Sequence, residues 1–221
     1  MIEKTETQID LIDYFRNVFN NNVWGSKESL SGPGSEINCS LVKNCIQCII
    51  IFIKNNNLLK NKESLIIADI PCGDLNWINI LLNEILLQTN IKKINYYAYD
   101  IVDEIKQKFN SIPKIKDVTY SFEIFNAIEN IPIKADIILC KEMFIHLSFL
   151  HINKCLQNFK LSGSTYLLCS DSDNIENKDI QYSNYGECRH VSLLLSPFNL
   201  PKPDFEYTSF YKVWNLESIS F

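Results

Sequence analysis

The sequence predicts an α/β fold in which a mainly parallel sheet is flanked by helices. Short apolar, strand-like runs alternate with stretches of helical spacing along the chain. One such run, at 65–70, leads through Pro71 and Gly73 into a helical pattern. The next run, at 95–100, ends in Asp100. Ligands of open α/β sheets bind beyond the carboxyl ends of the strands, so a binding site is expected where these two runs end.

The segment before the sheet is predicted to hold two helices joined by a loop. Helical spacing indicates a helix over residues 5–20, with apolar positions at Ile9, Ile12, Phe15, Val18 and Phe19. Residues 23–36 are rich in Gly and Ser and are expected to form a loop. A second helix is predicted over about 38–55, where a run of asparagines marks its end.

The remaining elements follow the alternation expected of a parallel sheet. Apolar runs predict strands at 65–70, 95–100, 118–122, 135–140, 164–170 and 205–214. Helical spacing predicts helices at 75–88, at 102–110 and after Ser148. The polar stretch 171–188 is expected to be a loop.

The turn at 71–74 suits a nucleoside that carries no phosphate group. Gly73 lets the backbone approach a ligand closely, and the helix that follows offers free N–H groups. Asp100 lies at a spacing that suits hydrogen bonds from a ribose diol, although a helix N-cap is an alternative role. The turn lacks the Gly-x-Gly-x-x-Gly pattern of dinucleotide sites, and the Gly-Lys-Ser/Thr of a P-loop is missing.

The composition indicates one globular domain in a reducing, cytoplasmic compartment. The chain has 221 residues, 46% of them hydrophobic, and a net charge of −5, which disfavours a nucleic-acid partner. Its eight cysteines are irregularly spaced, and Cys45 and Cys48 form a lone Cys-x-x-Cys, so reduced thiols are expected rather than disulfides or zinc. No signal peptide is recognised. The apolar run 48–53 is too short to span a bilayer, so no membrane partner is expected.

Four sequence blocks resemble the class I S-adenosylmethionine-dependent methyltransferases. In chain order they cover 24–35, 65–77, 136–147, and 186–189 with 197–203. The first block, which begins Trp-Gly and ends Ser-Gly-Pro-Gly-Ser, is similar to the N-terminal segment of a small-molecule branch of that family. The resemblance implies a Rossmann-like fold with a seven-stranded, mainly parallel sheet and S-adenosyl-L-methionine as cofactor. It divides the chain into N-terminal helices with a lid loop (1–57) and a cofactor-binding core (58–221).

The resemblance also implies where the cofactor contacts lie. Gly73 and its neighbours would line the methionyl part, with Asp69 orienting the turn or meeting the amino group and Asp74 holding water or backbone. Asp100 would take the ribose hydroxyls, and Asn126 the adenine, where the family usually has an acid. The full set of expected cofactor contacts is Trp24, Ser31, Gly32, Asp69, Pro71, Cys72, Gly73, Asp74, Trp77, Asp100, Ile101, Asn126, Ala127 and Cys140.

His146 is the candidate general base, and Glu142 is its candidate partner. Methyl transfer to a hydroxyl needs in-line alignment and removal of a proton, and an imidazole with an unperturbed pKa of about 6.5 suits that task. Glu142 lies four residues earlier and would share a face with His146 in a helical turn. A histidine that only orients a loop and a solvated acid are the alternatives. The candidate substrate contacts are Lys141, Arg189 and His190.

The sequence therefore favours methyl transfer to a hydroxyl of a small polar molecule. A sugar or nucleotide-linked sugar is preferred, because Arg189 would meet a phosphate. Other acceptors (an amine, a nucleic acid or a protein) and a non-catalytic cofactor-binding domain are the alternatives. The residues at 140–143 lack the Asp/Asn-Pro-Pro-aromatic pattern that clamps a flipped base. Asp171 and Asp173 are candidate ligands of a divalent ion, but a polar loop is preferred there and no metal site is predicted.

Overall fold

A computed structural model describes residues 10–173 and 176–220. Its helices are α1 Leu11–Asn20, α2 Ser40–Asn55, α3 Ile78–Gln88, α4 Ile105–Ser111 and α5 Phe149–Leu161. Its strands are β1 Ser64–Asp69, β2 Lys93–Asp100, β3 Val118–Ile124, β4 Ile137–Cys140, β5 Tyr166–Ser170, β6 Phe205–Tyr207 and β7 Tyr211–Asn215. Residues 5–9 of the first predicted helix lie outside the described residues.

The strands form one seven-stranded sheet in the order β3-β2-β1-β4-β5-β7-β6. The first five strands are parallel, whereas β7 runs antiparallel to both of its neighbours. The prediction of an α/β fold with a mainly parallel sheet is thus confirmed, with an antiparallel hairpin added at one edge. The strand order reverses between β1 and β4. Their carboxyl ends therefore form the crevice at which open α/β sheets bind ligands.

The hairpin corrects the prediction of a single strand over 205–214. The residues at 208–210 form the turn between β6 and β7, Tyr207 pairs with Tyr211, and Thr208 has a φ of +55°. Apolar residues recur at every second position on both sides of this turn, at Phe205, Tyr207, Tyr211 and Val213. The three-residue turn preserves that alternation, so the pattern alone does not reveal the break.

Two helices begin three residues later than the sequence predicts, each for a local reason. α3 begins at Ile78 rather than at 75, because Leu75 adopts the left-handed conformation with a φ of +63°. α4 begins at Ile105 rather than at 102, because the Asp100 carboxylate accepts the Val102 N–H (3.0 Å) and holds a turn there. The helix α5 begins directly after Ser148 as predicted, and the Ser148 side chain caps it by accepting the His151 N–H.

The core lies on both faces of the sheet. Helices α2 and α3 pack on one face with Ile67 and Leu139, and α5 packs on the other with Ala68 and Ile138. Neighbouring residues of one strand point to opposite faces, so strands covered on both sides need continuous apolar runs. β4 and β5 are accordingly buried at every position. The division expected at residue 57 stays a prediction, and α2, which precedes it, shares one hydrophobic cluster with β1 and β2.

The cysteines are free, and most of them are buried. Cys45 and Cys48 lie inside α2 against the sheet, where burial raises the pKa of both thiols, that of Cys48 to about 12. They are therefore apolar core residues rather than reactive thiols. Among residues 10–173 and 176–220, none of the helices is long and apolar enough to cross a bilayer.

A buried cation joins β7 to the loop that follows β5. The Lys212 ammonium lies 2.6 Å from the Asp171 carboxylate and 2.7 Å from that of Asp173. The Lys212 and Asp171 side chains are 1% and 0% exposed. Asp171 also accepts the backbone N–H of Leu193, so its charge is both paired and hydrogen-bonded.

Removing this cation is expected to destabilise the fold strongly. Lys212→Ala leaves Asp171 buried without its counter-charge, so the free energy of unfolding in a urea titration should fall by about 3–5 kcal/mol. Lys92→Ala is the matched control, because its partner Glu63 and Lys92 itself are 70% and 69% exposed. The control should leave unfolding unchanged. Equal losses in the two variants would contradict a structural role for the buried pair.

Candidate functional site

A cavity of about 260 Å³ lies at the carboxyl ends of β1, β2 and β4. Its wall combines the turns after these strands with α1 and the loop that follows α1. The structure brings together most of the residues that the sequence singled out. Those that line the cavity are Trp24, Ser31, Gly32, Pro71, Cys72, Gly73, Trp77, Asp100, Ile101, Asn126, Ala127, Lys141, Glu142 and His146.

The turn after β1 is built around Gly73. This residue has a φ of +55°, and a Cβ placed on it would lie 2.4 Å from the Ser31 hydroxyl oxygen. Both the backbone conformation and the approach of the loop therefore require glycine. The Gly73 N–H donates to the Asp100 carboxylate (2.9 Å), which ties the end of β1 to the end of β2.

Asp100 lies at the centre of this arrangement. One of its carboxylate oxygens accepts the Gly73 N–H and the other accepts the Val102 N–H. Burial raises its pKa to about 6. Each carboxylate oxygen has a second acceptor position, so Asp100 can still take hydrogen bonds from a ligand in the cavity. The alternative role of helix N-cap is not formed, because α4 begins at Ile105, and Asp100 instead stabilises the turn before that helix.

Asp74 faces the loop rather than the cavity. Its carboxylate accepts the Ser29 hydroxyl (3.0 Å) and the Leu30 N–H (2.7 Å), and its own N–H donates to the Ser31 hydroxyl (2.8 Å). The sequence placed Asp74 among the cofactor contacts, with backbone as one possible partner. In the structure it binds backbone, and it fastens the loop over the turn.

Three further predicted residues lie outside the cavity lining. Asp69 is buried below the turn, where it accepts the Tyr96 hydroxyl (2.6 Å), and burial raises its pKa to about 7. Cys140 is buried in the hydrophobic cluster around α5. His190 is exposed, with Nδ1 3.1 Å from the Ser172 hydroxyl. None of the three is in place to touch a ligand in the cavity.

Lys141 and Glu142 form an ion pair at the cavity wall. The Lys141 ammonium donates to the Glu142 carboxylate and to the Gly34 carbonyl (2.8 Å). Gly34 approaches this pair closely, since a Cβ placed on it would lie 2.5 Å from the Glu142 carboxylate. The backbone of Glu142 is left-handed, with a φ of +55°. The pair thus holds the loop after α1 against β4, and the strained Glu142 backbone marks a position worth testing functionally.

His146 ends a short 3₁₀ turn, Phe144–His146, and packs against α1 and the loop that follows it. Its Nδ1 is 2.9 Å from the Glu187 carbonyl oxygen. A carbonyl only accepts, so Nδ1 carries the proton and Nε2 keeps its lone pair. The ring lies 4.9 Å from Trp24 and 6.3 Å from Phe15, centroid to centroid. Burial lowers the pKa of His146, so the imidazole is neutral at neutral pH.

The helical face expected to join Glu142 to His146 does not form. Glu142 is in the left-handed conformation, and the turn that carries His146 starts only at Phe144. The four-residue spacing therefore does not stack the two side chains as an α-helix would. What orients the imidazole is the main chain of Glu187, which lies 41 residues later.

Arg189 holds the His146 turn rather than a ligand. Its guanidinium donates to the carbonyls of Phe144 (2.6 Å) and Leu147, on either side of His146. Its backbone N–H donates to the Ile145 carbonyl (3.1 Å). The guanidinium is not part of the cavity lining, so the expected contact with a substrate phosphate is not formed.

The sequence predicted an N-terminal helical lid but did not single out the residues of α1 that line the site. Leu11, Phe15 and Phe19 line the cavity from this helix. Their helical spacing predicted an apolar face, but spacing does not say what that face covers. The lid expected from the resemblance stays a prediction, and the position of α1 is compatible with it.

Contacts at both sides of the cavity hold α1 in place. The Tyr14 hydroxyl donates to the Asn184 carbonyl (2.7 Å) and accepts the Glu187 N–H (3.0 Å). On the opposite side, the guanidinium of the half-buried Arg16 lies 3.3 Å from the Asp103 carboxylate. The helix therefore bridges the loop after β2 and the segment that orients His146.

The two acids after β5 are occupied by a protein cation. Asp171 and Asp173 hold Lys212 between them, in the arrangement described above. In the part of the chain that the structure describes, no group of three or more His, Cys, Asp or Glu side chains is arranged to hold a metal ion.

Comparison with known proteins gives a likeness of fold. No family model and no curated protein matches the chain. The chain is similar to the crystal structure of magnesium protoporphyrin IX methyltransferase from Synechocystis PCC 6803 with bound SAM (12% identity, TM-score 0.51, 95% of this chain and 97% of that chain). It is also similar to a solved pericyclic reaction enzyme (11% identity, TM-score 0.51), of which it spans 46% while 75% of this chain is covered.

A third solved structure is that of N-methyltransferase NodS from Bradyrhizobium japonicum WM9 in complex with S-adenosyl-L-homocysteine. It matches with 10% identity and a TM-score of 0.47, over 71% of this chain and 74% of that chain. The chain thus has the fold of a solved, SAM-bound methyltransferase over nearly its whole length.

Two substitutions of Arg189 should distinguish the effect of its charge from the effect of its planar guanidinium. Arg189→Ala removes a cation that lowers the pKa of His146, so that pKa should rise in an NMR titration of the ring. Arg189→Lys keeps the charge but replaces the rigid planar guanidinium, whose separate nitrogens bond the two carbonyls, with a single compact ammonium. It should leave the His146 pKa low while lowering the free energy of unfolding by about 2 kcal/mol. A Lys variant as stable as the wild type would refute the two-carbonyl clamp.

Proposed function

We propose that the chain is an S-adenosyl-L-methionine-dependent methyltransferase that acts on a hydroxyl of a small molecule. The observation that carries the proposal is a single cavity with two walls of different chemistry. One wall has Asp100 and the Gly73 turn, and the other has a neutral His146 whose Nε2 is available. The similarity in fold to a SAM-bound methyltransferase is compatible with this function.

The cofactor would lie along the ends of β1 and β2. Asp100 would accept the ribose hydroxyls, and the absent side chain of Gly73 leaves room for the methionyl part. The side-chain carbonyl oxygen of Asn126 accepts the Ile128 N–H (3.1 Å). Its amide NH₂ would then donate to an adenine ring nitrogen, a contact that the acid usual in the family does not offer. Ile101 and Ala127 would pack on the adenine.

The reaction needs a base, and His146 is the residue we propose for it. The acceptor oxygen forms a bond to the methyl carbon while the bond from that carbon to sulfur breaks, leaving S-adenosylhomocysteine. Nε2 of His146 takes the hydroxyl proton, and the imidazolium is stabilised by the Glu187 carbonyl on Nδ1. Alignment of the two reactants within one cavity would contribute the rest of the rate enhancement.

The expected phosphate contact is not part of this proposal. A nucleotide-linked sugar was preferred because Arg189 would bind its phosphate, but that guanidinium does not line the cavity and instead bonds the backbone carbonyls of Phe144 and Leu147. The proposal therefore keeps a small hydroxyl acceptor without a phosphate group. A reducing, cytoplasmic location is also proposed, in keeping with the free cysteines.

Cofactor binding is expected to depend on the Asp100 carboxylate. Asp100→Ala should weaken binding of S-adenosylhomocysteine by about ten- to a hundredfold in calorimetry, since hydrogen bonds to a charged group are each worth about 1.5–3 kcal/mol. In the wild type, affinity should fall as pH drops through about 6, where this carboxyl takes up a proton. Glu123→Ala, an exposed acid on β3, is the control and should bind like wild type.

His146 should set the acid limit of turnover. Its pKa lies below the ordinary 6.5, so the rate at saturating cofactor should stay flat to below pH 6.5 and then fall as the ring is protonated. His146→Ala should lower kcat by about 10²–10⁴-fold and should also abolish the fall in rate at acid pH. His151→Ala, a histidine outside the cavity lining, should keep both. Unchanged turnover in His146→Ala would exclude it as the base.

A further inference from the structure

We propose that the acceptor is an uncharged aromatic hydroxyl compound, a phenol, bound against Trp24 and Phe15 with its hydroxyl at His146. This inference rests on the methyltransferase function proposed above and specifies its acceptor. It departs from the sugar expected from the sequence, and three properties of the cavity support it.

The first property is the charge of the cavity. The charged side chains that line it are Asp100, Lys141 and Glu142. The Lys141 ammonium is already bonded to the Glu142 carboxylate and to the Gly34 carbonyl, which leaves the Asp100 carboxylate in excess. A cationic sulfonium would balance that excess. The cavity lining then offers no unpaired cationic side chain to balance a phosphate or carboxylate on the acceptor, and burying such an anion without a counter-charge is costly. The acceptor should therefore carry no negative charge.

The second property is the surface around His146. Trp24 lies 4.9 Å from the imidazole at an interplanar angle of 34°, and Phe15 lies edge-on at 6.3 Å. The indole N–H of Trp24 is already bonded to the Gly186 carbonyl (3.1 Å), so neither ring offers a free polar group. A sugar would lose water from several hydroxyls here without replacement bonds, which is costly. An aromatic ring would instead pack on these side chains in stacked or edge-on geometry.

The third property is the strength of the base. Burial lowers the pKa of His146, so it is a weaker base than a free imidazole. A phenol has a pKa of about 10, whereas a simple hydroxyl such as that of water has a pKa of about 15.7. A weak base removes the proton of a phenol far more readily than that of a simple hydroxyl, because the pKa of the phenol lies closer to that of the imidazole.

The test compares three probes of the purified chain: 2-naphthol, glucose and UDP-glucose. Binding of each is measured by calorimetry in the presence of S-adenosylhomocysteine, and methyl transfer with radiolabelled S-adenosylmethionine. We expect 2-naphthol to bind about tenfold more tightly than either sugar and to be methylated. Trp24→Ala should weaken 2-naphthol binding about tenfold, and Trp24→Phe should recover most of it, because the ring supplies the contact.

The outcomes separate this inference from the function on which it rests. Binding of S-adenosylhomocysteine together with preferential binding or methylation of glucose or UDP-glucose would overturn the phenol acceptor and leave the methyltransferase standing. Binding of 2-naphthol that is equally strong in Trp24→Ala, in a variant that still binds S-adenosylhomocysteine, would also overturn it. If the wild type binds no S-adenosylhomocysteine, the proposed function fails and the acceptor inference fails with it.

Discussion

The turn after β1 is held by two carboxylates, and the whole site depends on them. Asp100 bonds the Gly73 N–H and so joins the ends of two neighbouring strands. Asp74 bonds the loop after α1, and the missing side chain of Gly73 lets Ser31 approach. Both contacts lie outside the backbone pairing of the sheet, so the strands alone do not fix the surface that faces the cavity. The cavity is thus a product of side-chain-to-backbone bonds rather than of the sheet alone.

The wall opposite Asp100 is also held by bonds between side chains and backbone, but there the side chain donates and the backbone accepts. There a cation, Arg189, bonds the carbonyls on both sides of His146, and a carbonyl of Glu187 sets the ring's tautomer. The segment that supplies these contacts also receives Tyr14 of α1. One stretch of irregular chain therefore positions the proposed base and the helix that covers it. Irregular loops on a rigid sheet commonly carry function in this way.

The sequence predicted what local patterns encode. The strand at 65–70, the turn at Gly73 and the position of Asp100 at the end of the next strand were all predicted, because strand periodicity and turn residues act over a few neighbours. The hairpin after 205 was missed because its turn keeps the alternation in phase. The role of Arg189 was missed for a different reason. The two carbonyls that it bonds beside His146 lie more than forty residues away, and a main-chain atom leaves no signature in the sequence.

The bond between His146 and the Glu187 carbonyl has an evolutionary consequence. Every amino acid presents the same carbonyl, so the Glu187 side chain, which accepts the Ser183 N–H (2.7 Å), does not decide which imidazole nitrogen holds the proton. Selection would act instead on the path of the backbone there. Gly186, with a φ of +76° and little room for a Cβ beside Trp24, is the residue on which that path imposes its strictest requirement.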